Sequence, residues 1–182
     1  MTTLSDNELL DMYAAKATKT EAFKLLVLKY QRPVYWHIRH MVIRHEDADD
    51  ITQETFIKIW RHLDSFKRAS KLYTWIYKIA LNEVVTFLKR KNRYTFLSFN
   101  DWEKHLSETL ADDNFFSGDA AQLKLHKAIL TLPRKQRIIF NMKYFDNLSY
   151  EDISDVLKTS VGALKASYHH AVKKIEKNIG AF

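Results

Sequence analysis

Residues 148–175 read LSYEDISDVLKTSVGALKASYHHAVKKI, and the interpretation of the whole chain starts from this stretch. Ser149 and Asp152 have the spacing of a capping box, which predicts that a helix begins here. Apolar residues three and four positions apart then give that helix one apolar face, formed by Ile153, Val156 and Leu157. A short polar break follows, in which Thr159 or Ser160 can cap a second helix.

The second helix has two contrasting faces. Its apolar face is formed by Val161, Leu164, Tyr168, Ala171 and Ile175. The opposite face is small, polar and basic: Ala163, Ala166, Ser167, His170, Lys173, Lys174 and Lys177. This arrangement is typical of a helix-turn-helix, in which small residues let a helix approach base edges and polar groups bond bases and phosphates. A helical hairpin with a solvated lysine face gives the same pattern. Lys158 also stands where many such turns have glycine, so a left-handed backbone would cost more there.

Composition favours a helical protein in a reducing compartment. The chain has 182 residues, with 46% hydrophobic residues, 3 Gly, 2 Pro and no cysteine. Few turn residues favour long helices, and the lack of cysteine excludes disulfides and cysteine-based metal sites or nucleophiles. The N-terminus does not read as a signal peptide, and no apolar run approaches membrane-spanning length. We therefore expect a cytoplasmic protein without membrane insertion.

The charge is unevenly distributed along the chain. Residues 65–94 contain eight Lys or Arg against one acidic residue, a net charge of +7. Residues 95–119 contain one Lys against six acidic residues, a net charge of −5. A basic block followed by an acidic stretch predicts a polyanion-binding face and then a linker. We therefore divide the chain into a helical domain 1–94, a linker 95–118 and a helical domain 119–182.

Residues 47–63, DADDITQETFIKIWRHL, predict an amphipathic helix. One face is formed by Ala48, Ile51, Thr55, Ile59 and Leu63 and is widened by Phe56 and Trp60. The other face combines acids and amides with one exposed apolar residue: Asp49, Asp50, Gln53, Glu54, Ile57 and Arg61. Such a surface suits docking on a basic partner helix, although a solvated amphipathic helix has the same pattern. Ser5 and Glu8 predict a capped helix near the N-terminus, and a longer one over 22–43 contains Pro33, which should kink or split it.

Residues 64–94 combine aromatic and basic side chains. A basic loop, 67–71, precedes a helix from about Leu72, and Trp75 is expected in its core. The side chains expected to face outward are Tyr73, Tyr77, Lys78, Asn82, Lys89 and Arg90. Aromatics interleaved with lysines, together with an amide able to bond a base edge, are typical of surfaces that hold single-stranded nucleic acid.

Three of these stretches, in this order, resemble one family. They are DADDITQETFIKIW (47–60), YTWIYKIALNEVVTFLKRKNR (73–93) and LPRKQRIIFNMKYFDNLSYEDISDVLKTSVGALKASYHHAVKKI (132–175). The chain resembles the extracytoplasmic-function (ECF) sigma factors, the two-domain promoter-specificity subunits of bacterial RNA polymerase. The resemblance implies an all-α fold of two small helical domains joined by an acidic linker, with a C-terminal helix-turn-helix.

The resemblance also implies roles for individual residues. The acidic helix would dock on a coiled coil in the clamp of the large polymerase subunit, through Asp50, Gln53, Glu54 and Ile57. The following loop and helix would read the melting minus-ten element and hold an unstacked base, through Lys67, Arg68, Lys71, Tyr73, Asn82, Lys89, Arg90 and Arg93. The helix-turn-helix would read the minus-thirty-five element as duplex, through Lys165, Ala166, Ser167, His169, His170 and Lys173. Core polymerase, promoter DNA and an anti-sigma factor are the implied partners, and no cofactor is implied.

The sequence departs from the family pattern in both DNA-binding regions. Family members often carry arginines where this chain has Ser167, His170 and Val172, so we expect a thinner basic contact here. Tyr73 stands where phenylalanine is common. These departures bear on which promoter sequence is read.

Two other functions fit parts of the pattern. A one-component regulator would also carry a helix-turn-helix, but its sensor half should alternate strands and helices, and no such alternation is present. A metal-dependent nuclease could use Asp47, Asp49, Asp50 and Glu54, or His37, His40 and His45. The three aspartates do not share one helix face, and the histidines lack a third ligand of clear geometry, so we expect no enzyme and no metal site.

Overall fold

The computed structural model describes residues 4–42, 44–94 and 120–180, and for 91–94 the backbone alone. Within these ranges the chain is helical and has no strand, which confirms the predicted all-α class. The N-terminal half contains α1 (Asp6–Ala14), α2 (Lys19–Arg39), α3 (His45–His62), a 3₁₀ turn (Leu63–Ser65) and α4 (Leu72–Tyr94). The C-terminal half contains α5 (Ala120–Leu130), α6 (Arg134–Tyr144), α7 (Tyr150–Leu157) and α8 (Val161–Gly180). The predicted linker, 95–118, lies outside the described residues.

The helix ends follow the capping signals in the sequence. Ser5 and Glu8 form the predicted capping box, since the Glu8 amide donates to Ser5 Oγ (3.3 Å) and the Ser5 amide donates to Glu8 Oε2 (2.7 Å). Pro33 does not split α2, which continues as one helix from Lys19 to Arg39. Pro33 is exposed there, so its ring faces solvent rather than the core. The helix starts three residues earlier and ends four residues earlier than the predicted range 22–43.

One apolar cluster joins the two halves of the chain. It contains core residues of α1 to α4 and extends into six buried residues of the C-terminal half: Ile139, Met142, Leu148, Ile153, Val156 and Leu164. Helices α2, α3 and α4 pack on one another, and α4 also packs on α7. A second, smaller cluster holds α5, α6 and α8 together around Ile129, Phe140 and Ala171.

The core face of α4 differs from the predicted one. Ile76, Ala80 and Val84 are buried, and Trp75 is half-buried against the cluster instead of lying within it. Tyr77, which we expected to face outward, is 7% exposed. Its ring lies 4.6 Å from the His37 ring, on the side of α4 that the C-terminal helices cover. The prediction was wrong because the periodicity of one helix does not reveal a second domain packing on its outer face.

His40, at the end of α2, predicts how the stability of this arrangement depends on pH. The His40 ring stacks on Phe145 of the C-terminal half at 3.8 Å, and burial lowers its pKa to about 4. The unfolded chain binds a proton at this residue below about pH 6.5, whereas the folded chain resists it until about pH 4. The contribution of His40 to stability is therefore complete above pH 6.5 and is lost as the pH falls towards 4.

We expect the free energy of unfolding to fall by about 2 kcal/mol more between pH 7 and pH 5 in the wild type than in His40→Gln. Glutamine has no proton to gain in this range, so the variant isolates the linkage of this one ring. Urea unfolding at the two pH values measures the difference. Identical pH slopes in both proteins would contradict the assignment.

Candidate nucleic-acid interface

The C-terminal helices α7 and α8 form the predicted helix-turn-helix. Ser149 caps α7, and its Oγ accepts from the Asp152 amide at 3.0 Å. The Asp152 carboxylate accepts from the Ser149 hydroxyl at 2.6 Å. At the start of α8, the Ala163 amide donates to Ser160 Oγ at 3.4 Å, so Ser160 rather than Thr159 makes the capping contact.

Lys158 adopts the left-handed backbone conformation that the turn requires. Its φ and ψ are 51° and 46°, and its amide donates to the Ser154 carbonyl at 2.8 Å, which closes the end of α7. A residue with a Cβ pays about 1 kcal/mol for this conformation relative to glycine. The turn is therefore built at a cost that the packing of α7 and α8 must offset.

The recognition helix α8 presents the predicted face to solvent. Leu164, Ala171 and Ile175 are buried, and Tyr168 is half-buried and stacks on Phe140 with ring centroids 5.7 Å apart. Ser167, one of the residues that the resemblance assigned to DNA, is half-buried. The other five are exposed: Lys165, Ala166, His169, His170 and Lys173. The face is basic and free of the apolar clusters, so it is available to a polyanion.

Helix α3 presents the predicted acidic surface on the opposite half of the chain. Asp50, Gln53 and Glu54 are exposed, and Ile57 is 41% exposed. Trp60, one turn further on, is 39% exposed, while one edge of its ring packs on Phe23 at 4.8 Å. We expected Trp60 on the inner face, yet it extends the apolar part of this surface. Its spacing of three residues from Ile57 was the signal in the sequence.

The basic loop before α4 borders a cavity of about 450 Å³. Arg68 has a left-handed backbone (φ 55°) and pairs with Asp11 of α1 at 2.6 Å. Basic, aromatic and acidic side chains line the cavity, among them Lys29, Tyr30, Phe66, Arg68, Lys71 and Asp6. Asp6 pairs with Lys29 at 2.7 Å and accepts from the Tyr30 hydroxyl at 2.7 Å. Other predicted DNA-binding residues are exposed: Lys67, Asn82, Lys89 and Arg90. The side chain of Arg93 lies outside the described residues.

Lys71 and Tyr73 contact the helix-turn-helix. Lys71 Nζ lies 3.3 Å from Asp152 Oδ1 and donates to the Tyr73 hydroxyl at 3.3 Å. Burial raises the pKa of Asp152, but hydrogen bonds from Ser149, Tyr73 and Lys71 outweigh it, so the pKa lies below its ordinary value. Asp152 is therefore an ionised carboxylate held against two residues that the resemblance assigned to promoter DNA.

The acidic and histidine clusters considered for a metal do not assemble. No group of three or more His, Asp or Glu side chains with metal-binding geometry occurs within 4–42, 44–94 and 120–180. His37 and His40 are instead buried between α2 and the C-terminal helices. None of the helices in the described parts of the chain is long and apolar enough to cross a membrane.

Comparison with known proteins finds two family matches in separate parts of the chain. The family Sigma-70 region 2 matches residues 26–94, and Sigma-70, region 4 matches residues 122–175. The RNA polymerase sigma-H factor of Pseudomonas aeruginosa is 33% identical over 86% of this chain and 85% of its own length. The ECF RNA polymerase sigma-E factor of Haemophilus influenzae is 30% identical over 87% of this chain and 88% of its own.

Two solved structures share the fold. The sigma factor RpoE of Bartonella quintana, in complex with the anti-sigma factor NepR, aligns with a TM-score of 0.71 at 21% identity over 87% of this chain and 96% of its own. CnrH, in complex with the cytosolic domain of CnrY, aligns with a TM-score of 0.69 at 20% identity over 97% of both chains.

The fold and its surfaces define a two-domain helical protein. It has a basic helix, α4, in its N-terminal half and a helix-turn-helix in its C-terminal half. The chain belongs to the extracytoplasmic-function sigma factor family. It is a transcription initiation factor that binds core RNA polymerase and directs it to promoters, with a domain of the minus-ten-reading type followed by one of the minus-thirty-five-reading type.

The strained turn yields a stability prediction. Lys158→Gly removes the Cβ penalty of the left-handed conformation, so we expect it to raise the free energy of unfolding by about 0.5–1 kcal/mol relative to Lys158→Ala. The alanine variant loses the same lysine side chain and keeps the Cβ, and is therefore the matched control. Urea unfolding measures both. A glycine variant no more stable than the alanine variant would refute the strain.

Proposed function

We propose that this sigma factor consists of two functional domains, residues 1–94 and 119–182, joined by a linker, residues 95–118. The two family matches, 26–94 and 122–175, lie within the two outer segments and support these boundaries. Sigma factors act where RNA polymerase is, so we place the protein in the cytoplasm. We further propose that it has no catalytic activity of its own and acts by positioning the polymerase.

The surface of α3 is the proposed site of polymerase docking. Asp50, Gln53, Glu54 and Ile57 are exposed together, and half-exposed Trp60 enlarges the apolar part. Acidic groups around an apolar centre complement a basic coiled coil with an apolar stripe, since charge steers the encounter and apolar burial holds the complex. The observation that carries this proposal is the exposure of Ile57 on an otherwise acidic face.

The loop before α4 and the outer face of α4 are the proposed minus-ten site. Lys67, Arg68, Lys71 and Tyr73 would bind the non-template strand, with Asn82 at a base edge and Lys89, Arg90 and Arg93 on the phosphates. The cavity of about 450 Å³ beside the loop could accept one unstacked base, since its lining offers both an aromatic surface and cations. Unstacking costs a few kcal/mol, which stacking and hydrogen bonds in the cavity would offset.

The exposed face of α8 is the proposed minus-thirty-five site. Lys165 and Lys173 would bind phosphates, while Ala166 leaves room for the helix in the major groove. Ser167, His169 and His170 would read base edges or phosphates according to their register. Histidines in place of arginines give a weaker phosphate contact near neutral pH.

An anti-sigma factor is a further proposed partner. Two solved structures with this fold are complexes, one of the sigma factor RpoE with the anti-sigma factor NepR and the other of CnrH with the cytosolic domain of CnrY. The two helical domains of this chain offer the same architecture to such a partner.

The docking proposal predicts the effect of a charge reversal. Asp50→Arg should abolish co-purification with core RNA polymerase, because it places a cation against a basic partner, while the circular dichroism spectrum stays unchanged. Glu21→Arg makes the same charge change at an exposed position of α2 and should leave co-purification intact. Full co-purification of Asp50→Arg would overturn the proposed surface.

The proposed minus-thirty-five site on α8 predicts variants that lose promoter binding and keep binding to core polymerase. Lys165→Ala and His170→Ala should each cost about 1–3 kcal/mol in binding of the upstream promoter element by the holoenzyme, with core binding unchanged. Lys124→Ala removes an equivalent charge from α5 of the same domain and is the control. Footprinting of the upstream region and co-purification with core provide the two readouts. Equal losses in both would argue against a DNA-reading role.

A further inference from the structure

A cavity of about 370 Å³, distinct from the one beside the basic loop, is lined by residues from both halves of the chain. It is bordered by the end of α2, by α5 and by the end of α6, and we call it the aromatic cavity. Its lining residues are Trp36, His40, Gln122, Leu125, His126, Tyr144 and Phe145. None of them belongs to the surfaces proposed for polymerase or promoter DNA, so neither role accounts for this cavity.

The walls of the aromatic cavity are flat rings held in place by one another. The His40 and Phe145 rings stack with centroids 3.8 Å apart and an angle of 9° between their planes. The Trp36 ring lies 6.0 Å from the His40 ring, and the Tyr144 ring meets the Phe145 ring edge-on at 5.0 Å. Aromatic rings prefer offset-stacked or edge-to-face contacts with other rings. These walls therefore suit a planar aromatic molecule.

His40 gives the cavity a polar group that the protein leaves unused. The residue is 9% exposed, and its Nδ1 atom is buried without a hydrogen-bond partner in the part of the chain that the structure describes. Burial lowers its pKa to about 4, so the ring is neutral at pH 7. A neutral imidazole has one nitrogen that donates and one that accepts a hydrogen bond. Because buried polar atoms are normally paired, a ligand with one hydrogen-bonding group would complete this site.

The size and charge of the cavity limit what can bind there. An apolar cavity of about 150 Å³ is large enough for benzene, so the aromatic cavity has room for about two fused rings. Among its described lining residues there is no carboxylate, ammonium or guanidinium group. Burial also lowers the pKa of the His126 imidazole, to about 3, so this second histidine is neutral as well. A charged ligand would lose its hydration without gaining an ionic partner, which favours an uncharged one.

We propose that the aromatic cavity is a binding site for a small, uncharged, planar aromatic molecule whose hydroxyl or ring N–H bonds the His40 imidazole. Exposed Tyr144 and Gln122 leave one side of the cavity open to solvent, which gives such a molecule a path of entry. The ligand contacts both halves of the chain at once. The site is additional to the polymerase and DNA surfaces, so its test does not depend on them.

Indole and indene are the matched probes. Both are planar two-ring molecules of the same shape, and indene has a CH₂ group where indole has its N–H. Proton–nitrogen correlation spectra of the full chain, recorded during titration, give both the affinity and the location of binding. We expect saturable binding of indole with a dissociation constant below about 1 mM, and binding of indene about fivefold weaker.

The largest shifts should fall on the Trp36 ring N–H and on the backbone amides of α5. Absence of saturable indole binding would overturn the site, and so would shifts that lie elsewhere in the chain. Equal affinities for indole and indene would overturn the hydrogen bond.

Leu125→Trp tests whether the ligand occupies this cavity. The substitution places a tethered indole ring at a half-buried position of the lining, so we expect it to weaken indole binding at least about tenfold. Leu28→Trp makes the same change on α2 at a position that is 57% exposed, and should bind indole as the wild type does. Indole binding by Leu125→Trp that matches the Leu28→Trp control would contradict the proposal.

His40→Phe tests the polar contact. Phenylalanine keeps a ring that can stack on Phe145 and removes both nitrogens, so the preference for indole over indene should disappear. A preference that persists would overturn the role of His40. Where this variant fails to fold, the ¹⁵N resonances of the His40 ring in the wild type decide the same question. They should shift when indole is added, and unchanged resonances at saturation would contradict the hydrogen bond.

Discussion

The way in which the two halves of this protein pack depends on a buried imidazole–carboxylate pair, His37 and Asp146, beside the apolar cluster that joins the halves. The apolar side chains supply the attraction, since burying one Val, Leu or Ile contributes about 1.5–3 kcal/mol. The contact between His37 and Asp146 is buried, so removing one partner leaves the other without its hydrogen bond and costs about 1–3 kcal/mol. The pair therefore fixes how the domains meet, while the apolar contacts hold them together. The Lys71 side chain is 65% exposed, so its contact with Asp152 contributes only about 0–1 kcal/mol.

This division of roles connects packing to function. The contacts between the two halves of the chain involve α2, α4, α6, the loop after α6 and α7, while α3 and the outer face of α8 stay exposed. A sigma factor has to bind one large protein and two DNA elements that lie far apart along a promoter.

Much of this could be predicted from the sequence, and the exceptions have a common cause. Helical periodicity and capping residues gave the helices, the turn at Lys158 and the exposed faces of α3 and α8, because these are properties of local segments. The packing of the two halves on each other could not be predicted, since His37 and Asp146 are 109 residues apart and neither lies in a recognisable motif. Tyr77 was misjudged for the same reason: its burial is produced by another domain. Trp60 was placed inside because a large aromatic usually belongs to the core, whereas here its ring contacts Phe23 and the residue is still 39% exposed.

The most direct test of the account is run-off transcription with core RNA polymerase on a library of genomic fragments, with and without this protein. The account predicts discrete new start sites that require the protein and share two upstream elements, one centred near minus ten and one near minus thirty-five. No new start sites, together with tight binding of the isolated chain to duplex DNA, would contradict it and favour a regulator that acts without the polymerase.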